Sequence, residues 1–189
     1  MKKLLLLLAG LGLLAVGSRA ENINLGGGKS LHFILPDSWV ATETGAPSPE
    51  VSQVGKDLRY VPKSGSNDAV LLTVLLVPDD RFSDHEVLRL LVVDATKRFV
   101  ADSVEGKAFI KELRTATAVG YSAMFTDVNL VDKPPVKDDY KTMTACFIYM
   151  GEKVMVFATI FSDDPSGPAF AEGLRLLKSL TLATPKGSI

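Results

Sequence analysis

The chain has 189 residues, of which 47% are hydrophobic and 23% charged, with 21 basic side chains against 22 acidic ones. That is enough apolar material for one domain with a core of its own, and no Lys/Arg cluster supplies the basic face that nucleic-acid binding requires. Cys146 is the only cysteine, so an internal disulfide is excluded and stability must come from packing.

Lys2 and Lys3, the apolar stretch from Leu4 to Gly17, and small residues at Ser18 and Ala20 form the pattern of an export signal cut after Ala20. Residues 1–20 are therefore expected to be removed, leaving Glu21 first, in the periplasm or outside the cell. The apolar stretch is shorter than the roughly 20 residues that cross a hydrocarbon core, and no transmembrane anchor is expected after cleavage. Lys2, Lys3 and Arg19 leave with the signal while the acidic residues all stay, so the exported chain is mildly acidic. A lipoprotein would carry cysteine just after the cut, where Glu21 stands.

Further along, Leu31 to Leu35 reads as a strand stopped by Pro36-Asp37, with Trp39 and Val40 resuming apolar character. Residues 43–56, rich in Gly, Pro and Ser, read as a loop. Leu58 to Val61 is a short strand, 63–68 a turn, and Ala69 to Val77, apolar except for Thr73, a central strand covered on both faces. Ser83-Asp84-His85-Glu86 fits a capping box that opens a helix over about 84–102, where Val87, Leu88, Leu91, Ala95 and Phe99 recur at spacings of three and four.

Strands are expected over 108–117, 120–130 and 140–150, the last two joined by Val131 to Asp139. A hairpin at Gly151-Glu152-Lys153 leads into Val154 to Phe161, again apolar on both faces. After the breaker Asp163-Asp164-Pro165, Phe170, Leu174, Leu177 and Leu180 mark a final helix with Pro168 in its first turn. The expected organisation is a signal peptide at 1–20, a single domain at 21–182 and a flexible tail at 183–189. Tight turns make the sheet mostly antiparallel. Two helices are available to cover it, so the fold class is α+β, an antiparallel sheet sandwiched between helices.

The run Phe33-Ile34-Leu35-Pro36-Asp37-Ser38-Trp39 resembles the opening strand and turn of the PsbP-like superfamily, which includes DcrB-like bacterial envelope proteins. The closing hairpin at Gly151 and the helix carrying Phe170, Leu174, Leu177, Ser179 and Leu180 are similar as well. The resemblance implies the same helix–sheet–helix (α/β/α) arrangement and a non-enzymatic role. Its members include an extrinsic subunit of the oxygen-evolving complex, a nuclear-import factor that binds a small GTPase, and many exported proteins. No functional residue of theirs has a counterpart in this chain.

Tempting motifs fail on chemistry. Gly26-Gly27-Gly28-Lys29-Ser30 ends like a phosphate-binding loop, but Ile23 stands where the first glycine is needed and a strand follows, so it reads as a flexible lead-in. His32 and His85 are the only histidines, and no G-x-S-x-G elbow occurs. Asp79-Asp80, Asp138-Asp139 and Asp163-Asp164 sit where strands end, without the alternating spacing of a calcium loop. No catalytic residue, cofactor or metal ligand is expected, and the chain reads as no enzyme. An enzyme would need His32 or His85 to meet an acid and a hydroxyl in a cleft. The leading expectation is an accessory protein that binds another envelope protein through Asp132, Lys133, Asp138 and Asp139 together with residues 43–56, since loops carry binding more often than scaffold does. The second is a small-molecule or lipid carrier with Phe33, Trp39, Tyr60 and Tyr121 lining a pocket between sheet and helix.

Overall fold

Period-two alternation organises most of the chain, which the computed structural model describes over residues 17–42 and 55–184. The expected export segment up to residue 16, most of the 43–56 loop and residues 185–189 of the expected tail lie outside the described residues. Strands β1 (Ser18–Gly26), β2 (Lys29–Pro36), β3 (Trp39–Thr42), β4 (Gly55–Pro62) and β5 (Asp68–Leu76) precede helix α1 (His85–Val100). Then come β6 (Lys111–Arg114), β7 (Val119–Thr126), β8 (Thr142–Gly151), β9 (Val154–Ser162), α2 (Pro168–Lys178) and β10 (Thr181–Ala183). Seven strands form one antiparallel sheet in the order β3-β4-β5-β9-β8-β7-β6, and three form a smaller one in the order β1-β2-β10.

Strand register explains the core. Val70, Ile160 and Thr144 lie side by side across β5, β9 and β8, and Val74, Val156 and Ile148 form a parallel row, so their side chains share one face. That face packs against Leu31, Phe33 and Leu35 of β2 and Leu176 and Leu177 of α2. Each such fully buried side chain contributes about 1.5–3 kcal/mol. On the opposite face, Leu88 and Val92 of α1 bury Met155, Tyr149, Ala123 and Phe125. Because α1 lies over β7 and β8, Leu71, Leu75, Phe157 and Phe161 beyond it remain half-buried.

The mostly antiparallel sheet with helical cover is the expected fold class. The small sheet is an addition: it shares with α2 the task of covering one face. β1 was not anticipated. The glycine run is its hairpin turn into β2, where Gly26, Gly27 and Gly28 have φ of 81°, 56° and 76°, the left-handed region that glycine tolerates best. The strand begins at Ser18, so a cut after Ala20 would keep its pairing from Glu21↔Phe33 to Gly26↔Lys29. Similarly, the chain expected to continue α2 to about residue 181 leaves the helix after Lys178 and returns as β10, pairing Thr181 to Ala183 with His32 to Ser30.

Other boundaries shifted for local reasons. Asp84, not Ser83, caps α1, its carboxylate accepting the backbone N–H groups of Glu86 (2.8 Å) and Val87 (3.4 Å), because Arg81–Ser83 is already a tight 3-10 turn. The strand expected to reach 117 stops at Arg114, where the Thr115 hydroxyl accepts from the N–H groups of Thr117 and Ala118 and bends the chain into β7.

Candidate functional site

The connection between β7 and β8 is built on its own turn chemistry. Asp127 Oδ1 accepts the Asn129 N–H at 2.7 Å, and the Asp127 carbonyl accepts those of Leu130 and Val131. A bridge between Val136 and Asp139 then tightens the tip, with Asp138 at a φ of 64°. One distant side chain fastens this tip to the sheet. The Asn67 amide, just before β5, donates to the carbonyl oxygens of Val136 (2.9 Å) and Asp139 (3.1 Å) and to Asp163 Oδ2 (2.8 Å). Its oxygen accepts the Asp138 N–H at 3.0 Å. Asp163 in turn accepts the Lys141 N–H at 3.1 Å, which ties the start of β8 into the same network.

A second tether comes from β4. Arg59 Nη2 donates to Asp138 Oδ1 and to the Tyr140 hydroxyl, each at 2.8 Å, while Tyr140 stacks on Phe161 with ring centroids 4.8 Å apart. The hydrogen bond from Arg59 holds the Asp138 carboxyl below its ordinary value, and the same bond raises the Arg59 guanidinium. Burial, foremost, raises the Tyr140 phenol. Arg59 Nε is buried and has no partner among the described residues.

Asp138 and Tyr140 stand between two hollows. One, of about 660 Å³, is lined by Arg59, Val61, Asn67, Val136 and Lys137; the other, of about 340 Å³, by Phe99, Phe125, Leu130 and Met143. Val128, Val131 and Val136 are exposed along the connection. The arrangement presents apolar side chains and hydrogen-bonding groups on a fixed backbone, which suits recognition of another surface.

Of the residues expected to bind a partner, Asp138 and Asp139 lie in this pinned tip. Asp132 and Lys133 are exposed beside it and make no side-chain hydrogen bond or ion pair among the described residues. Of the expected pocket residues, Phe33, Trp39 and Tyr60 meet in the main core, with the Phe33 and Tyr60 rings edge to face at 5.7 Å. Burial pushes the Tyr60 phenol up to about 12. Tyr121 sits on the other sheet face, against α1. Nothing in the sequence marks Arg59, Asn67 or Tyr140 for this site, and Asp163 reads there only as a turn residue. Asn67 carries the signature of a turn residue, and its partner Asp138 is 71 positions away.

His32 bonds Ser30 Oγ at 2.9 Å on the small sheet, and His85 lies in the first turn of α1, its ring 6.5 Å from that of Tyr121. Cys146 is fully buried, and desolvation pushes its thiol up to about 12. Among the described residues, no three His, Cys, Asp or Glu side chains gather as a metal site would require.

The Arg59–Asp138 tether makes the tip sensitive to acid. Since the folded carboxyl lies below its ordinary value of 3.8, its stabilisation is complete above that pH and is lost as pH falls through the folded value. Amide exchange over 127–141, compared with an Asp138→Asn variant, is expected to show a pH-dependent loosening below about pH 4 in the parent only. Identical pH profiles would show that the tether does not hold the tip.

In sequence, no known protein family matches the chain, and no curated protein matches it either. In structure, the chain is similar to cyanobacterial PsbP (CyanoP) from Synechocystis sp. PCC 6803, with 12% identity, 91% of this chain and 96% of that chain covered, and a TM-score of 0.54. It also aligns with the Ran-binding protein Mog1p of Saccharomyces cerevisiae at 13% identity, covering 87% and 95% of the two chains, with a TM-score of 0.46. The likeness to CyanoP shows that the fold is PsbP-like, as the Phe33–Trp39 run implied.

Proposed function

We propose that this is an exported bacterial envelope protein with a non-catalytic, accessory role, which docks another envelope protein at the 127–141 connection and the hollows beside it. The observation that carries the reading is the fixation of exposed Val131 and Val136 on a tip that Asn67 and Arg59 hold to the sheet. A tip ordered before contact loses little conformational freedom on binding, so its exposed apolar area converts more fully into affinity. The pattern at residues 1–20 supports export. The PsbP-like fold supports a binding role over a catalytic one, and Asp132 and Lys133 supply unpaired charges of both signs at the rim. Among the described residues, no helix is long and apolar enough to cross a membrane.

A photo-crosslinking residue placed at Asp132 or Val136 in intact cells tests the reading, with Lys97 on the exposed side of α1 as the control position. A discrete adduct from the two loop positions, weakened when Asn67 is replaced by alanine, is the expected result. The same adducts from Lys97, or none from either loop position, would refute the assignment of this surface.

A further inference from the structure

The small sheet and α2 together do not cover the whole of the larger sheet. Beyond α2, toward β6, a groove of about 700 Å³ remains, floored by Leu113, Met124 and Thr144 and walled by Phe170 and Leu174 of α2. Phe109 stands at its side, 50% exposed. The volume is that of a site for a small organic molecule. It shares no lining residue with the hollows beside Tyr140.

Two polar features distinguish this groove from leftover apolar surface. Thr144 is only 5% exposed, yet its hydroxyl has no hydrogen-bond partner among the described residues. A buried hydroxyl left unmatched is destabilising, so a group that can bond it gains from doing so. The rim charge, in addition, is unbalanced. Glu112 pairs with Arg114 at 2.5 Å, whereas Lys111 and Lys178 have no ion-pair partner among the described residues. Glu105 keeps its charge, held in place by the N–H and hydroxyl of Thr126, so two ammonium groups face one carboxylate and the rim carries an excess of one positive charge.

We propose that this groove binds a monocarboxylic amphiphile that carries one further oxygen on its apolar body. The carboxylate meets Lys111 and Lys178, the apolar body lies along Phe109, Leu113, Phe170 and Leu174, and a hydroxyl or carbonyl oxygen bonds the Thr144 hydroxyl. Apolar burial supplies most of the affinity, and the buried hydroxyl supplies selectivity, because a site built to hydrogen-bond one oxygen disfavours analogues lacking it.

Calorimetric titration of the full chain with ricinoleate, oleate and methyl ricinoleate, each kept below its micelle concentration, tests the assignment. One ricinoleate per chain is expected, with oleate and the methyl ester each bound about tenfold more weakly. Thr144→Val should erase the preference for ricinoleate over oleate, and Lys111→Ser with Lys178→Ser the preference for the acid over its ester. Leu174→Trp, which fills the groove, should abolish binding while circular dichroism stays unchanged. No saturable binding of any probe, equal affinity for oleate and ricinoleate in the parent, or binding that survives Leu174→Trp would each overturn the proposal.

Discussion

Replacement of Trp39 by alanine is expected to lower the unfolding free energy by about 3–5 kcal/mol, the cost of emptying a large, well-packed aromatic site. Trp39 is fully buried although it begins β3, an edge strand of the seven-stranded sheet. Its indole Nε1 donates to Glu172 Oε2 of α2 at 2.8 Å, and the Ser38 hydroxyl donates to the same oxygen at 2.9 Å. The side chain therefore fills the core and fastens the sheet edge to the helix. Trp39→Phe separates the two roles: it keeps most of the packing and removes the donor, at an expected cost of about 1–2 kcal/mol. Urea denaturation followed by far-ultraviolet circular dichroism gives both values. A Trp39→Ala midpoint equal to that of the parent would show that β3 does not share the domain's cooperative unfolding.

The second large effect is expected at Asn67. Alanine there removes the amide that holds the carbonyls of Val136 and Asp139, the carboxylate of Asp163 and the N–H of Asp138. Each lost bond costs on the order of 1 kcal/mol, and the backbone groups left behind can turn to water, so a local destabilisation of roughly 2 kcal/mol is expected. Hydrogen exchange followed by mass spectrometry should then quicken by roughly 30-fold over residues 127–141 while α1 keeps its protection. Unchanged exchange over 127–141 would mean that the tip is ordered by its internal turns alone.

What could be read from sequence was burial; what could not was the meeting of distant turns. Val154, Val156, Ala158 and Ile160 alternate with Met155, Phe157 and Phe161, and that pattern was enough to place β9 inside the sheet. The first row is fully buried, but the second grades from buried Met155 to half-buried Phe157 and Phe161, because periodicity reports a side chain's polarity and not how far a helix extends over it. β1 was missed because Ile23 and Leu25 alternate with Asn22 and Asn24 next to a stronger export pattern, and its partner β2 supplies the packing that makes so polar a segment a strand. β10 was missed because three residues carry no periodicity.

At the site, the acidic tip was visible as a charged segment between strands, whereas Arg59, Asn67 and Asp163 looked like ordinary strand and turn residues. Their importance comes from tertiary placement. The free hydroxyl of Thr144 was equally invisible, since a threonine in an apolar strand gives no sign of whether a neighbour will bond it.

The larger sheet is long in the middle and short at its β6 border. β5, β8 and β9 run for nine or ten residues, but β6 for only four. A foreign strand arriving at that margin would find few unpaired amides in line, which guards against runaway stacking of one molecule on the next along that side. The same brevity narrows how another protein can attach there. Extending the pleat beyond β6 by one more ribbon offers little grip, and association along that border must rely on side chains that stand up from turns and crevices.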